Sequence, residues 1–461
     1  MNDLKSENND KGIKRELVDR LIIDPSRNFI NNSTSSGIVL FSSALLALII
    51  SNSPLADEYH HFWTYQFSIG FDEFVISKDL HHWINDGLMA VFFFVVGLEL
   101  KREIIGGQLS DMKSAMLPVV AAAGGMFFPA LFYLFLNSSG PEQDGWGIPM
   151  ATDIAFSLGV LYLVGSKVPT SLKVFLTALA IADDLGAVMV IAFFYSSDIS
   201  LINLGVGALF LIVLWVANWI GVRNTIFYAV IGIVGVWLAF LMSGVHATIA
   251  AVLAAFAIPA RPKVKEDKFA DHMEYLVSRF EKADPNKVRI LTEDQLKILQ
   301  EIRSYSKKAL TPLQRLEDNF HPMVVFVIMP IFAFSNAGVA ISDQFFNQLL
   351  SPVALGIMLG LILGKVIGVV GVTQLVMRFT SLQLPKGMNN WHLLGTGFLA
   401  AIGFTMSLFI SGLAFDQEYL SDQAKIGILT ASLIASVAGY FLINRACNMP
   451  IKESDDSMNE T

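Results

Sequence analysis

The chain has 461 residues, and its composition excludes an ordinary soluble protein. Apolar residues make up 54% of it, charged residues only 16%, and 35 residues are phenylalanine. A typical soluble domain is about 25% charged. The net charge of -8 says little about partners because the charges lie between the apolar stretches, and we expect no nucleic-acid partner. The single cysteine, Cys447, excludes an intramolecular disulfide.

Apolar stretches long enough to cross a bilayer recur almost from end to end, which predicts one all-α polytopic membrane domain over 34–445. Polar tails are expected at 1–33 and 446–461. Nearly all Lys and Arg outside the stretches fall on one side if both tails are cytoplasmic, as the positive-inside rule requires. Twelve spans are expected, at 34–52, 80–104, 115–137, 146–165, 171–196, 201–220, 225–241, 244–259, 321–341, 354–377, 391–413 and 423–444.

Two segments between the spans carry patterns of their own. From Tyr65 to Ser77 apolar and polar residues alternate, which predicts a small external β-hairpin within 65–78. Residues 261–320 form the one large cytoplasmic loop. Apolar residues recur there at helical spacing, and Thr292 with Gln295 gives a capping box, so we predict two amphipathic helices. These helices either pack on the inner face or serve as a regulatory docking site.

Two adjacent carboxylates, Asp183 and Asp184, lie near the middle of the fifth expected span. A helix rises about 1.5 Å per residue, so Asp183 lies about 18 Å along this span. That depth is close to the midplane of a hydrocarbon core about 30 Å thick. A charged group there costs at least about 2.5 kcal/mol, and a like-charged neighbour adds to the cost. We therefore interpret the pair as a proton or cation site.

Lys365 lies in the tenth expected span at the same depth as Asp183. A lone lysine in hydrocarbon must either lose its proton or find an acid. No other Lys or Arg lies near the middle of an expected span. We therefore expect Lys365 and Asp183 to form a buried ion pair when no sodium is bound.

Two spans are expected to be interrupted at mid-depth. The fourth carries Pro149 followed by Thr152 and Asp153, and the eleventh is rich in glycine between 395 and 403. Each interruption lies one span away from a charge at the membrane centre. Paired interrupted spans predict two inverted repeats whose broken helices cross. At such a crossing Asp153 would balance the positive helix ends and Lys365 the negative ones.

Four further ionisable residues lie near span ends, and each has a structural alternative. Glu99 and Glu103 lie at the cytoplasmic end of the second span, where a solvated network of charges competes with a role in gating or pH sensing. Asp86 lies near the outer end of the same span and suits either ion passage or helix packing. His246 follows a Ser-Gly turn, where local hydrogen bonds are the alternative to a functional role.

Eight motifs in order resemble the NhaA-type sodium/proton antiporters, and the resemblance covers nearly all of 30–445. The motifs are WINDG, GLELKRE, MATDIAFSLG, ALAIADDLGA, SGVHAT, PIFAFSNAGV, LGKVIG and AIGFTMSLFI. The resemblance implies a twelve-helix fold of inverted repeats in a bacterial inner membrane. It also implies exchange of Na⁺ or Li⁺ for protons, activation at alkaline pH, and no cofactor.

The resemblance also assigns roles to residues of this chain. Asp183 and Asp184 match the aspartates that bind the proton and the Na⁺ ion, Thr152 and Asp153 match the broken-helix pair, and Lys365 matches the basic residue of the tenth span. The positions associated with the pH response are Glu99, Glu103, His246 and Glu317, whereas Asp86 is a candidate for the ion path from its place in the span alone. The insertion at 261–310 is a departure, because it is longer than in the best-known members.

Two other classes of protein use similar residues. An intramembrane aspartyl protease would carry its two aspartates on separate helices with a GxGD approach, whereas Ile181 and Ala182 precede Asp183 here. We therefore expect no enzyme. A sodium-coupled symporter of an organic anion remains the alternative, since it shares broken crossing helices, but it should carry a larger polar pocket. A membrane lysine facing the acid pair favours proton exchange.

The same residues predict how exchange and assembly work. If sodium breaks the ion pair, Lys365 and Asp184 each release a proton, so two protons exchange for one sodium and the cycle is electrogenic. The alternative is that Lys365 only balances helix ends while the aspartates carry both protons, with the same stoichiometry. The hairpin has free strand edges, which predicts a homodimer that pairs through it.

Overall fold

The computed structural model describes residues 33–72, 74–196, 199–283, 290–341 and 344–449. The expected tails therefore lie almost wholly outside the described residues. Over these ranges the fold is helical apart from one two-stranded sheet. Up to residue 257 the helices are α1 (Ser33–Ser51), α2 (Ala56–Trp63), α3 (80–106), α4 (Met112–Leu136), α5 (Pro141–Met150, a 3₁₀ helix), α6 (Ile154–Leu163), α7 (Thr170–Phe194), α8 (Leu201–Ile220), α9 (Thr225–Leu241) and α10 (Ala247–Ala257).

The rest of the chain adds a helical hairpin and a second set of apolar helices. The hairpin is α11 and α12, and the apolar set begins with α13. These helices are α11 (Glu266–Lys282), α12 (Glu293–Ala309), α13 (Pro312–Asn336), α14 (Phe345–Leu349), α15 (Pro352–Phe379), α16 (Asn390–Ala400), α17 (Phe404–Ala414) and α18 (Glu418–Cys447).

Within the described ranges, six helices are long and apolar enough to cross a membrane singly, namely α4, α7, α8, α13, α15 and α18. Three bent pairs reach that length only when both helices are counted, and the bends are 118° between α1 and α2, 43° between α5 and α6, and 41° between α16 and α17. A chain built from so many apolar helices is a multi-pass membrane protein.

The largest boundary difference concerns α13, which was expected at 321–341 but begins at Pro312. Its first turns are polar, so hydropathy does not detect them. Thr311 and Gln314 form a capping box that starts the helix there. Helix α2 was not expected at all. It is held by Tyr59 and Trp63, which are buried by packing against the ring of Phe334.

The predicted β-hairpin is confirmed, with strands β1 (Gln66–Phe71) and β2 (Phe74–Asp79). The strands pair antiparallel, from Gln66 opposite Asp79 to Phe71 opposite Phe74. The indole nitrogen of Trp83 donates to the carbonyl oxygen of Phe67 at 2.8 Å. The hairpin is therefore attached to the start of α3, and no further strand from the described part of the chain pairs with its outer edges.

The two helices predicted in the 261–320 loop are also present, and the Thr292 capping box is confirmed. They pack against each other, with the rings of Phe269 and Tyr305 stacked at 6.0 Å. The apolar positions expected for α12 were Leu296, Leu299 and Ile302, and of these Leu296 and Leu299 are exposed. Ile298 is 3% exposed, whereas Leu296 is 50% exposed, because α12 turns one side toward α11 and leaves the other to its surroundings.

Glycines bring α4 and α15 into close contact at the centre of the bundle. A Cβ atom added to Gly368 would collide with the backbone carbonyl of Gly124, and one added to Gly124 would collide with Gly368 in turn. Elsewhere on α15, a Cβ added to Gly371 would have its nearest neighbouring atom at 4.0 Å, which is an ordinary contact. The close approach therefore depends on Gly124 and Gly368.

We predict that Gly368→Ala lowers the thermal stability of the purified protein, because the two backbones would have to separate at a cost of about 1–3 kcal/mol. Gly371→Ala is the matched control, and we expect it to leave the melting temperature unchanged or slightly higher, since alanine favours the helix. Thermal unfolding in detergent measures both variants. Equal melting temperatures would contradict the proposed close approach.

Candidate functional site

The two interruptions, at 151–153 and 401–403, lie against each other in the centre of the bundle. The backbone N–H of Asp153 donates to the carbonyl oxygen of Ile402 at 2.7 Å. The hydroxyl of Thr152 donates to the carbonyl oxygen of Ala400 at 2.6 Å. The carbonyl groups that α16 leaves unpaired at its end are therefore bonded by the segment between α5 and α6.

The carboxylate of Asp153 receives the N-terminal ends of both α6 and α17. One oxygen accepts from the backbone N–H of Phe156 at 2.9 Å, as an N-cap does. The other accepts from the backbone N–H of Thr405 at 3.2 Å and from its hydroxyl. Asp153 is fully buried. This is the arrangement expected of a carboxylate that balances two positive helix ends.

Lys365 forms the expected ion pair, with its Nζ 2.6 Å from Oδ2 of Asp183. Both side chains are 0% exposed. The same Nζ donates to the carbonyl oxygen of Met150, the last residue of α5. Lys365 therefore contacts the negative end of α5 but not that of α16, whose end is held by Thr152 and Asp153 instead.

Asp183 and Asp184 each keep one buried oxygen, Oδ1, that has no hydrogen-bond partner among the described residues. The exposed fractions of the two side chains are 0% and 1%. A buried acceptor without a donor costs free energy, and the cost is larger for a charged group. Either a proton or a small cation would satisfy these oxygens. The geometry thus suits the cation and proton site that the acid pair predicts.

A cavity of about 400 Å³ connects Asp184 and Asp153 with the end of α3 that carries Glu99. It runs between α3, α6 and α13, and His321 lines it at the same end as Glu99. In the described part of the chain, Asp183 and Lys365 do not line this cavity. Of the acid pair, therefore, Asp184 is the member that the cavity reaches directly.

A network of charged side chains surrounds the Glu99 end of the cavity. His321 Nδ1 lies 3.0 Å from Oε1 of Glu99. Arg102 pairs with Glu103 at 3.0 Å and also with Glu317, which is 6% exposed. Arg102 was expected beside Glu99 and Glu103, but sequence reasoning missed His321. Its spacing, four residues after Glu317 on the same helix, is the signal that could have found it.

Asp86 and His246 do not belong to this network. Asp86 lies about 20 Å from Glu99 along α3, where Lys78 of the β-hairpin pairs with it at 2.6 Å. His246 lies just before α10 begins, and its Nε2 is 2.6 Å from the carbonyl oxygen of Tyr195. The residues grouped as pH-responsive by resemblance therefore fall at two opposite ends of the bundle.

Hydroxyl groups complete the crossing, and sequence reasoning did not single out these serines. Ser157 donates to the carbonyl oxygen of Leu399 at 2.7 Å, and Ser407 donates to that of Ile148 at 2.8 Å. Ser432 accepts from the backbone N–H that begins α17, at 3.1 Å. All three serines are buried within apolar helices. A polar residue within an apolar helix was the only sequence signal for these hydrogen bonds, and it does not predict which group the hydroxyl bonds.

Comparison with known proteins is consistent along nearly the whole chain. A family model described as Na+/H+ antiporter 1 matches residues 27–443. The chain is 45% identical over 423 residues to Na(+)/H(+) antiporter NhaA 2 of Syntrophotalea carbinolica, covering 92% of this chain and 96% of the relative. It is 46% identical over 433 residues to Na(+)/H(+) antiporter NhaA of Oleidesulfovibrio alaskensis, covering 94% and 96%.

We predict that Lys365→Met destabilises the protein by about 3–5 kcal/mol, because it leaves Asp183 as a buried charge without a partner. The double variant Asp183→Asn/Lys365→Met should recover much of this loss. Lys425→Met is the control, since Lys425 is partly exposed and lies 3.9 Å from Asp422. Melting temperatures in detergent at neutral pH test this. A Lys365→Met variant as stable as the unmodified protein would show that the ion pair is unimportant.

Proposed function

The chain belongs to the Na+/H+ antiporter 1 family, and from this membership we propose that it exchanges Na⁺ or Li⁺ for protons across a bacterial inner membrane. The observation that carries the proposal is the pair Asp183 and Asp184, buried at the helix crossing with one unpartnered oxygen each. A carboxylate that can bind a proton or a cation, but not both, couples the two movements.

We propose that the helices form twelve spans, with both termini cytoplasmic and with α5–α6 and α16–α17 as the broken spans of two inverted repeats. Bent geometry at 151–153 and 401–403 supports the broken spans. The distribution of Lys and Arg supports the orientation. In this orientation the Glu99 end of the cavity faces the cytoplasm, and the arrangement corresponds to an inward-facing state.

Sodium and protons compete in this proposal for the same carboxylates. A sodium ion arriving through the cavity meets Asp184 first, and it must then displace the ammonium group of Lys365 to reach Asp183. Neutral oxygens near the acid pair, such as that of Thr152, would complete the coordination of a hard cation. Protons at high concentration occupy the carboxylates and exclude sodium.

We propose that two protons exchange for each sodium, which moves one net charge per cycle. Such a movement is worth about 2.3 kcal/mol per 100 mV of membrane potential, so an inside-negative potential drives sodium out. Two accounts of the second proton remain. Lys365 either releases it when sodium separates it from Asp183, or keeps its proton and serves the Met150 end of α5.

We propose that the network of Glu99, Glu103 and Glu317 at the cavity end takes part in activation at alkaline pH. Glu99 lines the cavity, and Arg102 joins Glu103 to Glu317 beside it. The pH profile of Glu317→Gln tests this role.

For the β-hairpin we propose pairing across two protomers through its open edges, which cross-linking of a hairpin-deleted chain tests.

We predict that Asp183→Asn and Asp184→Asn each abolish exchange while the protein still folds, because an amide neither binds and releases a proton nor carries the charge that holds Na⁺. The measurement is proton movement induced by sodium and lithium in everted vesicles, across pH. Asp422→Asn, a change on α18 outside the cavity, is the control and should retain exchange. Exchange by either site variant at normal expression would refute the assignment.

We predict that exchange in reconstituted vesicles responds to an imposed membrane potential, and Lys365→Gln separates the two accounts of the second proton. A variant that exchanges without responding to the potential would identify Lys365 as the proton carrier. A variant that remains electrogenic would leave both protons on the aspartates. Potential-insensitive exchange by the unmodified protein would instead rule out the two-to-one stoichiometry.

A further inference from the structure

A second cavity, of about 480 Å³, lies where the α11–α12 hairpin meets the turn between α8 and α9 and the start of α13. Five of its lining side chains are basic. Arg223 and Arg315 come from the helix bundle, and Lys263, Lys307 and Lys308 come from the segment that carries the hairpin. No acidic side chain is among the described residues that line it.

The cations of this cavity differ from Arg279 and Lys297 of the same hairpin, which have carboxylate partners. Arg279 pairs with Glu301 at 3.0 Å, and Lys297 lies 3.6 Å from Asp294. Among the ion pairs that the described side chains form, none includes a basic residue of the cavity. Five positive charges therefore face one space without compensation from these side chains.

The backbone holds the cations together despite their repulsion. The N–H of Lys263 donates to the carbonyl oxygen of Lys308 at 3.2 Å, which fixes the two ends of the hairpin segment beside each other. One guanidinium nitrogen of Arg223 donates to the carbonyl oxygen of Arg261 at 2.5 Å. An anion between these groups would relieve the repulsion and would join the hairpin to the bundle.

The chemistry of the lining selects among anions. Arg presents a planar fork of N–H donors and Lys a compact positive charge, and both bind phosphate oxygens. The amide of Asn224 and the hydroxyl of Ser304 add neutral groups that can hydrogen-bond. We propose that this cavity binds a phosphate-bearing anion, which ties the inserted hairpin to the helix bundle.

Two sources of phosphate can reach the cavity. Trp219 and Ile226, on either side of the α8–α9 turn, are 89% and 70% exposed, as residues at a membrane interface are. A lipid phosphate would lie at this level. The three lysines are exposed on the side of the hairpin, where a soluble phosphate compound has access. The shared ligand group is the phosphate, and the experiment separates its sources.

The test uses the purified full-length protein in a neutral detergent and a phosphate-free buffer. One arm titrates inorganic pyrophosphate, and the other adds phosphatidylglycerol, with phosphatidylcholine as the uncharged reference. Thermal stability is measured at each concentration. The variant K263Q/K307Q/K308Q removes three cations of the cavity. Its matched control, K268Q/K282Q/K297Q, removes three lysines of the same hairpin that do not line the cavity.

We expect saturable stabilisation by at least one probe, with apparent affinity lowered about a hundredfold in the cavity variant and nearly unchanged in the control. Stabilisation by phosphatidylglycerol alone identifies a lipid headgroup, and stabilisation by pyrophosphate alone identifies a soluble phosphate. An equal loss of affinity in both variants would show that the stabilisation comes from general surface charge, and it would refute the proposed site. The absence of saturable stabilisation by either probe would do the same.

A second variant guards against misfolding of the triple substitution. Arg223→Gln removes one cation from the bundle side and leaves the hairpin intact. It should weaken binding about fivefold to tenfold if the anion bridges both sides. Unchanged binding in this variant would show that the anion does not bridge. All these measurements report binding without transport, so their outcome does not depend on the exchange activity.

Discussion

Interrupting two helices in the middle of an apolar bundle leaves backbone groups without their helical partners, and each group needs a new one. The N–H groups that begin α6 and α17 converge on Asp153. The carbonyl groups that end α5 and α16 are bonded by Lys365 and Thr152. These side chains are therefore required by the backbone before any transport function is considered, and they place charge at the centre of the protein.

The same arrangement gives the centre an excess of acidic side chains. Asp153, Asp183 and Asp184 are three buried carboxylates, and Lys365 is the one ammonium group that pairs with them in the described structure. With all four groups ionised, negative charge would be in excess in a region of low dielectric constant. A proton or a cation restores the balance, and binding one disfavours the other. This charge balance at a helix crossing is the physical basis of the exchange that we propose.

Charged side chains at the periphery are gathered at three separate junctions between structural elements. At one end of α3 the charged network with Glu99 and Glu317 borders the cavity, so changes in its charge are close to the path of an ion. At the other end Asp86 pairs with Lys78 and so joins α3 to the β-hairpin. The α11–α12 hairpin lies apart from both and meets the bundle at a basic cavity. The charges at each junction therefore differ with the elements that meet there and with the ion that could enter.

Much of this protein is determined by local sequence. The apolar stretches predicted nearly every long helix, alternation predicted the β-hairpin, and the Thr292 capping box predicted the start of α12. These features depend on residues close together in the chain. The depth of Asp183 and of Lys365 within their stretches was likewise enough to predict their ion pair, because a charge at the membrane centre has few possible partners.

Tertiary structure decided what depends on residues far apart in the chain. Which carbonyl Thr152 would bond, and that Thr405 would join Asp153, follow from the way two distant segments cross. The separation of His246 from Glu99 follows from helix direction, although the resemblance had grouped them by their link to the pH response. Helix α13 began at Pro312 because a cap outweighed hydropathy. Hydropathy and spacing determine where a helix can form, whereas its neighbours in space determine which of its side chains meet.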